Sequence, residues 1–222
     1  MKKLLTITIA FLLILNFQNT YAQSHFAFGG RAGINLANLS FDPDIQSGLS
    51  KSTRVGFKFG AVGEIGFIPM IALRFEPMYS MGGCVVDNVQ FGTVKGKITF
   101  KLSYLEIPIL LKFNIPVPGS ISPYVFAGPN LGLILSNNEL DEAGGQSAES
   151  DLKDQTSSIN FGLDFGAGVG FKVVPLTTII FDIRYSLGLS NLLNDKGKQS
   201  WGANQTIKTT GIQIVAGVIF GL

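Results

Sequence analysis

The sequence predicts an all-β chain: an eight-stranded antiparallel transmembrane up-and-down β-barrel of the small outer-membrane type, preceded by a cleavable signal peptide. Three observations carry that prediction. Residues 159–171 read INFGLDFGAGVGF, with Ile159, Phe161, Leu163, Phe165, Ala167, Val169 and Phe171 on one face and Asn160, Asp164 and four glycines on the other. At about 3.3 Å per residue and a tilt near 40° such a run rises roughly 33 Å, more than the ~25 Å apolar band of an outer membrane. The same pattern returns in Arg54–Phe67, where Val55, Phe57, Phe59, Ala61, Gly63, Ile65 and Phe67 oppose Lys58, Val62, Glu64 and three glycines. Finally, long polar connections alternate with short proline-bearing ones, the rhythm of outer loops and periplasmic turns.

Taken in order, strands are expected at 26–38, 54–67, 71–82, 98–113, 123–135, 158–172, 177–189 and 207–222. The short connections are Ile68–Met70, Asn114–Ser122 and Val173–Leu176, each with proline. The long ones are 39–53, 83–97, 136–157 and 190–206. Both chain ends and the short turns then share one side, which puts the mature N-terminus in the periplasm. The fourth strand is irregular: Phe100, Leu102 and Tyr104 have one parity and Leu105, Ile107, Ile109, Leu111 and Phe113 the other. With the second set facing lipid, a phase change or β-bulge is expected near Tyr104. In the fifth, Val125, Ala127, Leu131, Leu133 and Leu135 look outward, opposed by Tyr124 and Phe126.

The N-terminus fixes the compartment. Lys2 and Lys3 precede an uncharged apolar run from Leu4 to Phe17, then Gln18–Thr20 and Tyr21-Ala22-Gln23. This is the plan of a secretory signal, too short for a comfortable membrane helix, with cleavage expected before Gln23. Residues 1–22 are thus signal peptide and 23–222 a single barrel domain. Cleavage removes two lysines and no acid, so the formal net charge falls from +2 to zero. No net positive charge remains as an electrostatic footprint for nucleic acid. Cys84 is the only cysteine, which excludes an internal disulfide and a thiolate-cluster metal site.

The polar faces converge on a lumen set of Arg31, Lys58, Glu64, Arg74, Glu76, Glu106, Lys112, Asp164, Lys172, Asp182 and Arg184, six cations against five anions. Eight strands enclose a space that side chains fill, and unpaired charge there is costly, so near balance reads as an interlocking plug. Ligand or proton binding by the same groups is the functional alternative. Outward, Phe67, Phe113, Phe171 and Phe220 fall at one end of the strands, with Tyr79 and Tyr185 toward the other, in the manner of interfacial girdles.

Four stretches, Phe28–Leu36, Tyr104–Lys112, Tyr124–Pro129 and Asp182–Leu189, resemble the PorT-like outer-membrane β-barrel family of the Bacteroidota, often labelled "porin family protein". The signal ending Tyr21-Ala22-Gln23 is also typical of it. The resemblance implies a small eight-stranded barrel and no particular activity; one member type is linked to protein secretion and gliding. The last strand departs from the barrel-assembly pattern by ending in Leu222, with Phe220 the nearest aromatic on the same face.

No enzyme is expected. The one histidine, His25, stands at the periplasmic end, far from any outer chemistry. No cofactor or metal site is expected; the acidic segment 136–157 sets six acids against Lys153 but lacks the D-x-D-x-D-G spacing of a calcium loop. Trp201, in the last long loop, either contacts a ligand or partner or packs within the loop. The function expected is a structural or interaction protein of the outer membrane, monomeric, in contact with outer-membrane lipid, with envelope proteins as partners through four extracellular loops. A narrow solute channel or hydrophobic-ligand transporter is the alternative, and a component of a secretion assembly the second.

Overall fold

The computed structural model describes residues 25–45 and 48–221; the expected signal peptide, 1–22, and Leu222 lie outside them. Ten strands follow in chain order: β1 (His25–Asp42), β2 (Ser50–Ile68), β3 (Ile71–Phe75), β4 (Met78–Phe91), β5 (Val94–Asn114), β6 (Ile121–Ala143), β7 (Gln146–Asp151), β8 (Ile159–Val174), β9 (Thr177–Gly188) and β10 (Thr206–Gly221). Among the described residues, helical structure is confined to a 3₁₀ turn, Lys153–Gln155, and one short helix, α1 (Asp195–Trp201).

All pairings are antiparallel and they return on themselves. β1 pairs with β2 and β10, β10 with β9, β9 with β8, β8 with β6, β6 with β5, and β5 with β3 and β4, which both pair with β2. β3 and β4 form a single stave. Pro77 has no N–H to give the ladder, yet Glu76 N–H donates to Pro108 O at 3.2 Å and Ala61 N–H to Pro77 O at 3.1 Å, so pairing continues across the gap. Eight staves therefore close the ring, and β7 is an extra strand that folds back only on β6.

Alternation along each stave sorts the side chains. In β2, Val55, Phe57, Phe59, Ile65 and Phe67 stand outward and exposed while Lys58, Val62 and Glu64 are buried. In β8, Ile159, Phe161, Leu163 and Phe165 are exposed against a fully buried Asp164. The outward apolar runs Phe26–Leu36 on β1 and Ile212–Phe220 on β10 match the ~9–11 residues a tilted membrane strand needs. Phe67, Phe113, Phe171 and Phe220 are all exposed near the short turns, the end called here the turn end; the opposite end is the loop end.

Three details of the expected fold are corrected. The segments 83–97 and 136–157 are mostly strand: β4 and β5 run on to the two-residue turn Gly92-Thr93, and β6 turns into β7 through Gly144-Gly145, both at positive φ, as a type I′ hairpin requires. These strands project past the apolar band with polar residues on both faces, which hides them from a search for alternation. Next, β5 keeps one parity throughout, with Phe100, Leu102, Tyr104, Glu106, Leu110 and Lys112 all buried. The phase change lies on the facing strand, where Ser103 pairs with Ser136 but Tyr104 with Ile134, leaving Leu135 as the bulged residue. Finally, the last long loop contains α1, capped by the Asn194 side chain accepting from Gly197 N–H at 3.0 Å.

Candidate functional site

The interior changes chemistry along the barrel axis, and the inward row of β5 shows it: Lys112, Leu110, Glu106, Tyr104, Leu102 and Phe100, from the turn end upward. Nearest the turn end is a charge network. Arg31 of β1 binds Glu76, from the gap between β3 and β4, and Asp182 of β9 at 2.5 Å. Arg74 of β3 lies 2.6 Å from Glu64, 3.0 Å from Asp182 and 3.5 Å from Glu76. Arg184 of β9 lies 2.7 Å from Glu76, 3.2 Å from Asp182 and 3.7 Å from Asp164. Lys112 lies 2.9 Å from Glu64 and Lys58 2.5 Å from Glu106.

These five cations and five carboxylates balance to zero, and all ten residues are buried. Each side chain comes from the polar face of a stave whose other face is apolar, so opposite walls meet across the lumen. Aromatic rings complete the packing: the Arg74 guanidinium lies 4.8 Å from the Tyr124 ring centre and that of Arg184 5.1 Å from Phe126. Gly168 makes the room. A Cβ there would fall 2.2 Å from Asp182 Oδ1 and 2.6 Å from the Tyr124 ring, so only glycine leaves that pair intact.

Lys172 does not join them. It is exposed at the turn end of β8, where the ladder to β9 slips between Lys172 and Val174. Its parity is inward, but parity assigns a face only while a strand stays regular and inside the barrel. Lys172→Ala is therefore expected to change stability by no more than about 0.5 kcal/mol in urea unfolding. The expected six-to-five count thus becomes five to five.

Uncharged partners complete the network, and a search for charge alone passes over them. Tyr124 Oη donates to Asp182, Asn130 Nδ2 to Asp164 at 3.1 Å, and Ser186 Oγ to Asp164 at 2.6 Å. Lys58 Nζ donates to Gln213 Oε1, tying β2 to β10. Gln213 was legible from its parity, since Ile212 and Ile214 face outward on either side.

Above the charges lies a polar chamber of about 20 Å³, room for about one water. Gly132, Gly162, Gly188 and Gly211 open it by lacking side chains, and Asn35 and Asn130 present buried Oδ1 atoms without protein partners there.

The loop end is closed by an apolar cap. Leu39, Phe41, Cys84, Phe100, Leu102 and Ile134 from the walls pack against Leu192 and Leu193, which the last loop folds inward. Backbone bonds pin that loop: Leu192 N–H to Ile207 O at 2.8 Å and Ser157 N–H to Leu192 O at 2.7 Å. Burying a leucine is worth about 1.5–3 kcal/mol, enough to hold the pair down. The acids of the 136–157 segment are spread over β6, β7 and the 3₁₀ turn, and two of them pair with lysines of β5, Glu142 with Lys97 at 3.1 Å and Glu149 with Lys101 at 3.5 Å. Among the described residues no three acidic, histidine or cysteine side chains gather as a metal ion would need.

A family model described as "Outer membrane protein beta-barrel domain" matches residues 21–194, most of the chain. The chain belongs to this outer membrane β-barrel family. Membership assigns the outward apolar belt to lipid and the protein to the outer membrane. Among solved structures, the outer membrane protein OprG from Pseudomonas aeruginosa aligns with a TM-score of 0.54 at 15% identity, covering 90% of this chain and 96% of that one. Neisserial surface protein A aligns at 0.49 and 15%, covering 88% and 96%. The outer membrane protease OmpT from Escherichia coli aligns at 0.35 and 8%, covering 91% and 98%. At these identities the likeness to OprG concerns the fold alone. No curated protein matches the sequence.

Proposed function

We propose that this outer-membrane barrel is a non-enzymatic structural or interaction protein, whose wall is an anchor and whose recognition surface is the loop end. The observation that carries this reading is the lumen: five buried cations paired with five buried carboxylates, overlaid by an apolar cap, fill the path a solute would take. Long connections and the projecting hairpin of β6 and β7 stand at one end and the short turns at the other, which supports a loop end outside the cell and a periplasmic N-terminus. The four motif stretches support a place in the PorT-like group of the Bacteroidota. Loops on a rigid scaffold are where recognition concentrates.

The test is a photo-crosslinking residue placed at Ser147 of the hairpin and, separately, at Lys196 of α1, followed by purification from native envelopes. A discrete envelope protein captured at either position, and not from the lipid-facing wall, is the expected result. Recovery of secretion-apparatus components would select the secretion reading. Capture of nothing at either position would contradict the proposal.

A further inference from the structure

The loop end holds an open recess of about 380 Å³ between the start of the loop after β1, the upper parts of β4 and β5, and Trp201. Ile45, Val86, Val89 and Ile98 form its sides, and Phe41, Phe100 and Trp201 its floor. The floor rings touch one another, with centres 6.3 Å apart for Phe41 and Phe100 and 5.8 Å for Phe100 and Trp201. The same three rings roof a second apolar cavity of about 20 Å³ that reaches down to Leu39, Leu102 and Ile207. An aromatic septum thus divides an outer recess from an inner one, and the charge network closes everything below.

The polar groups at the rim are already engaged. Asp44 accepts from Lys51 Nζ at 2.8 Å and from Ile45 N–H at 2.9 Å, and Gln205 Nε2 donates to Pro43 O at 3.1 Å. The Lys51 bond and the Ile45 amide hold the Asp44 carboxyl below its ordinary range. Among the described lining residues the one charged group, Asp44, is paired with Lys51, while a concave apolar surface facing water favours a compact uncharged occupant. Volumes of roughly 300–1,000 Å³ are those of small-molecule pockets.

We propose that this recess is a binding site for a compact, uncharged apolar molecule, such as a substituted monocyclic hydrocarbon, held against the Phe41–Phe100–Trp201 floor. The site ends blind and captures its ligand at the membrane surface. Only the side of the membrane rests on the functional reading above. The pocket itself is independent of any protein partner, so failure here would leave the crosslinking result standing, and the converse.

Trp201 is the only tryptophan in the chain and is 37% exposed, so its emission reports the floor directly. The full barrel in lipid nanodiscs is titrated with bromobenzene, whose bromine quenches indole on contact. Saturable quenching is expected, reversed by excess toluene, with the half-saturation concentration raised at least tenfold when Val89→Phe and Ile98→Phe fill the recess. Circular dichroism confirms that the filled variant is folded, and the toluene reversal needs no variant. Non-saturating quenching, quenching that toluene does not reverse, or an unchanged curve in the folded filled variant would overturn the proposal. So would equal quenching of Trp201 by a phospholipid with brominated acyl chains, which would make the occupant membrane lipid.

Discussion

Asp182→Ala is expected to lower the stability of the lipid-embedded barrel by about 3–5 kcal/mol, because it leaves buried cations without their shared anion. Asp182 lies within 3.2 Å of Arg31, Arg74 and Arg184 and accepts the Tyr124 hydroxyl. Removing it leaves these groups buried beside the Tyr124 and Phe126 rings without the carboxylate they share. The cost comes from breaking the pairing, and a contrasting variant shows this. Lys58→Met, Glu106→Leu and Gln213→Leu together remove a smaller cluster whole, leaving no charge stranded. That variant is expected to be neutral or stabilising, as apolar replacement of complete buried pairs often is. Urea unfolding of both variants in phospholipid vesicles, followed by Trp201 emission, measures the difference.

The second large effect lies on the other face of the same strand. Ile183 follows Asp182, is 61% exposed and pairs with Ala167 on β8 and Ile214 on β10, in the middle of the outward belt. Ile183→Arg is expected to cost about 2–4 kcal/mol, the price of an arginine at the bilayer midplane. Neighbours on one strand thus obey opposite rules: position 182 must keep its charge and position 183 must not gain one. The same unfolding assay checks it, and a cost below about 1 kcal/mol would place Ile183 outside the hydrocarbon.

The wall was legible because lipid imposes a simple grammar. An outward residue in contact with hydrocarbon must be apolar, an inward one is free to be charged, and the period of two writes both on one line of sequence. Where the environment is not lipid the grammar changes. Phe100 and Leu102 look like lipid-facing residues out of phase, yet they point inward into the apolar cap, and the bulge sits at Leu135 instead. The tips of β4 to β7 stand beyond the belt, where exposed polar residues such as Gln90, Lys95 and Glu149 carry no alternation to read. Lys172 fails at a strand end for a related reason.

The lumen set was only half legible. Charge identifies Arg74 or Glu76, but Gln213, Asn130 and Tyr124 complete the network without any charge, and parity alone marks them as inward. The cap was not legible at all: Leu192 and Leu193 sit in a polar loop, and only tertiary folding places them over Leu102 and Ile207. On the proposed reading, that cap and the charge layer together keep the barrel from conducting.

Conductance tests that claim most directly. Purified barrel reconstituted in planar bilayers at molar salt is predicted to show no single-channel steps at moderate voltage, since both the cap and the paired charges block the lumen. Regular, reproducible steps from the unmodified protein would contradict the account, because they would require a continuous water path through the network of Arg31, Arg74, Glu76, Asp182 and Arg184.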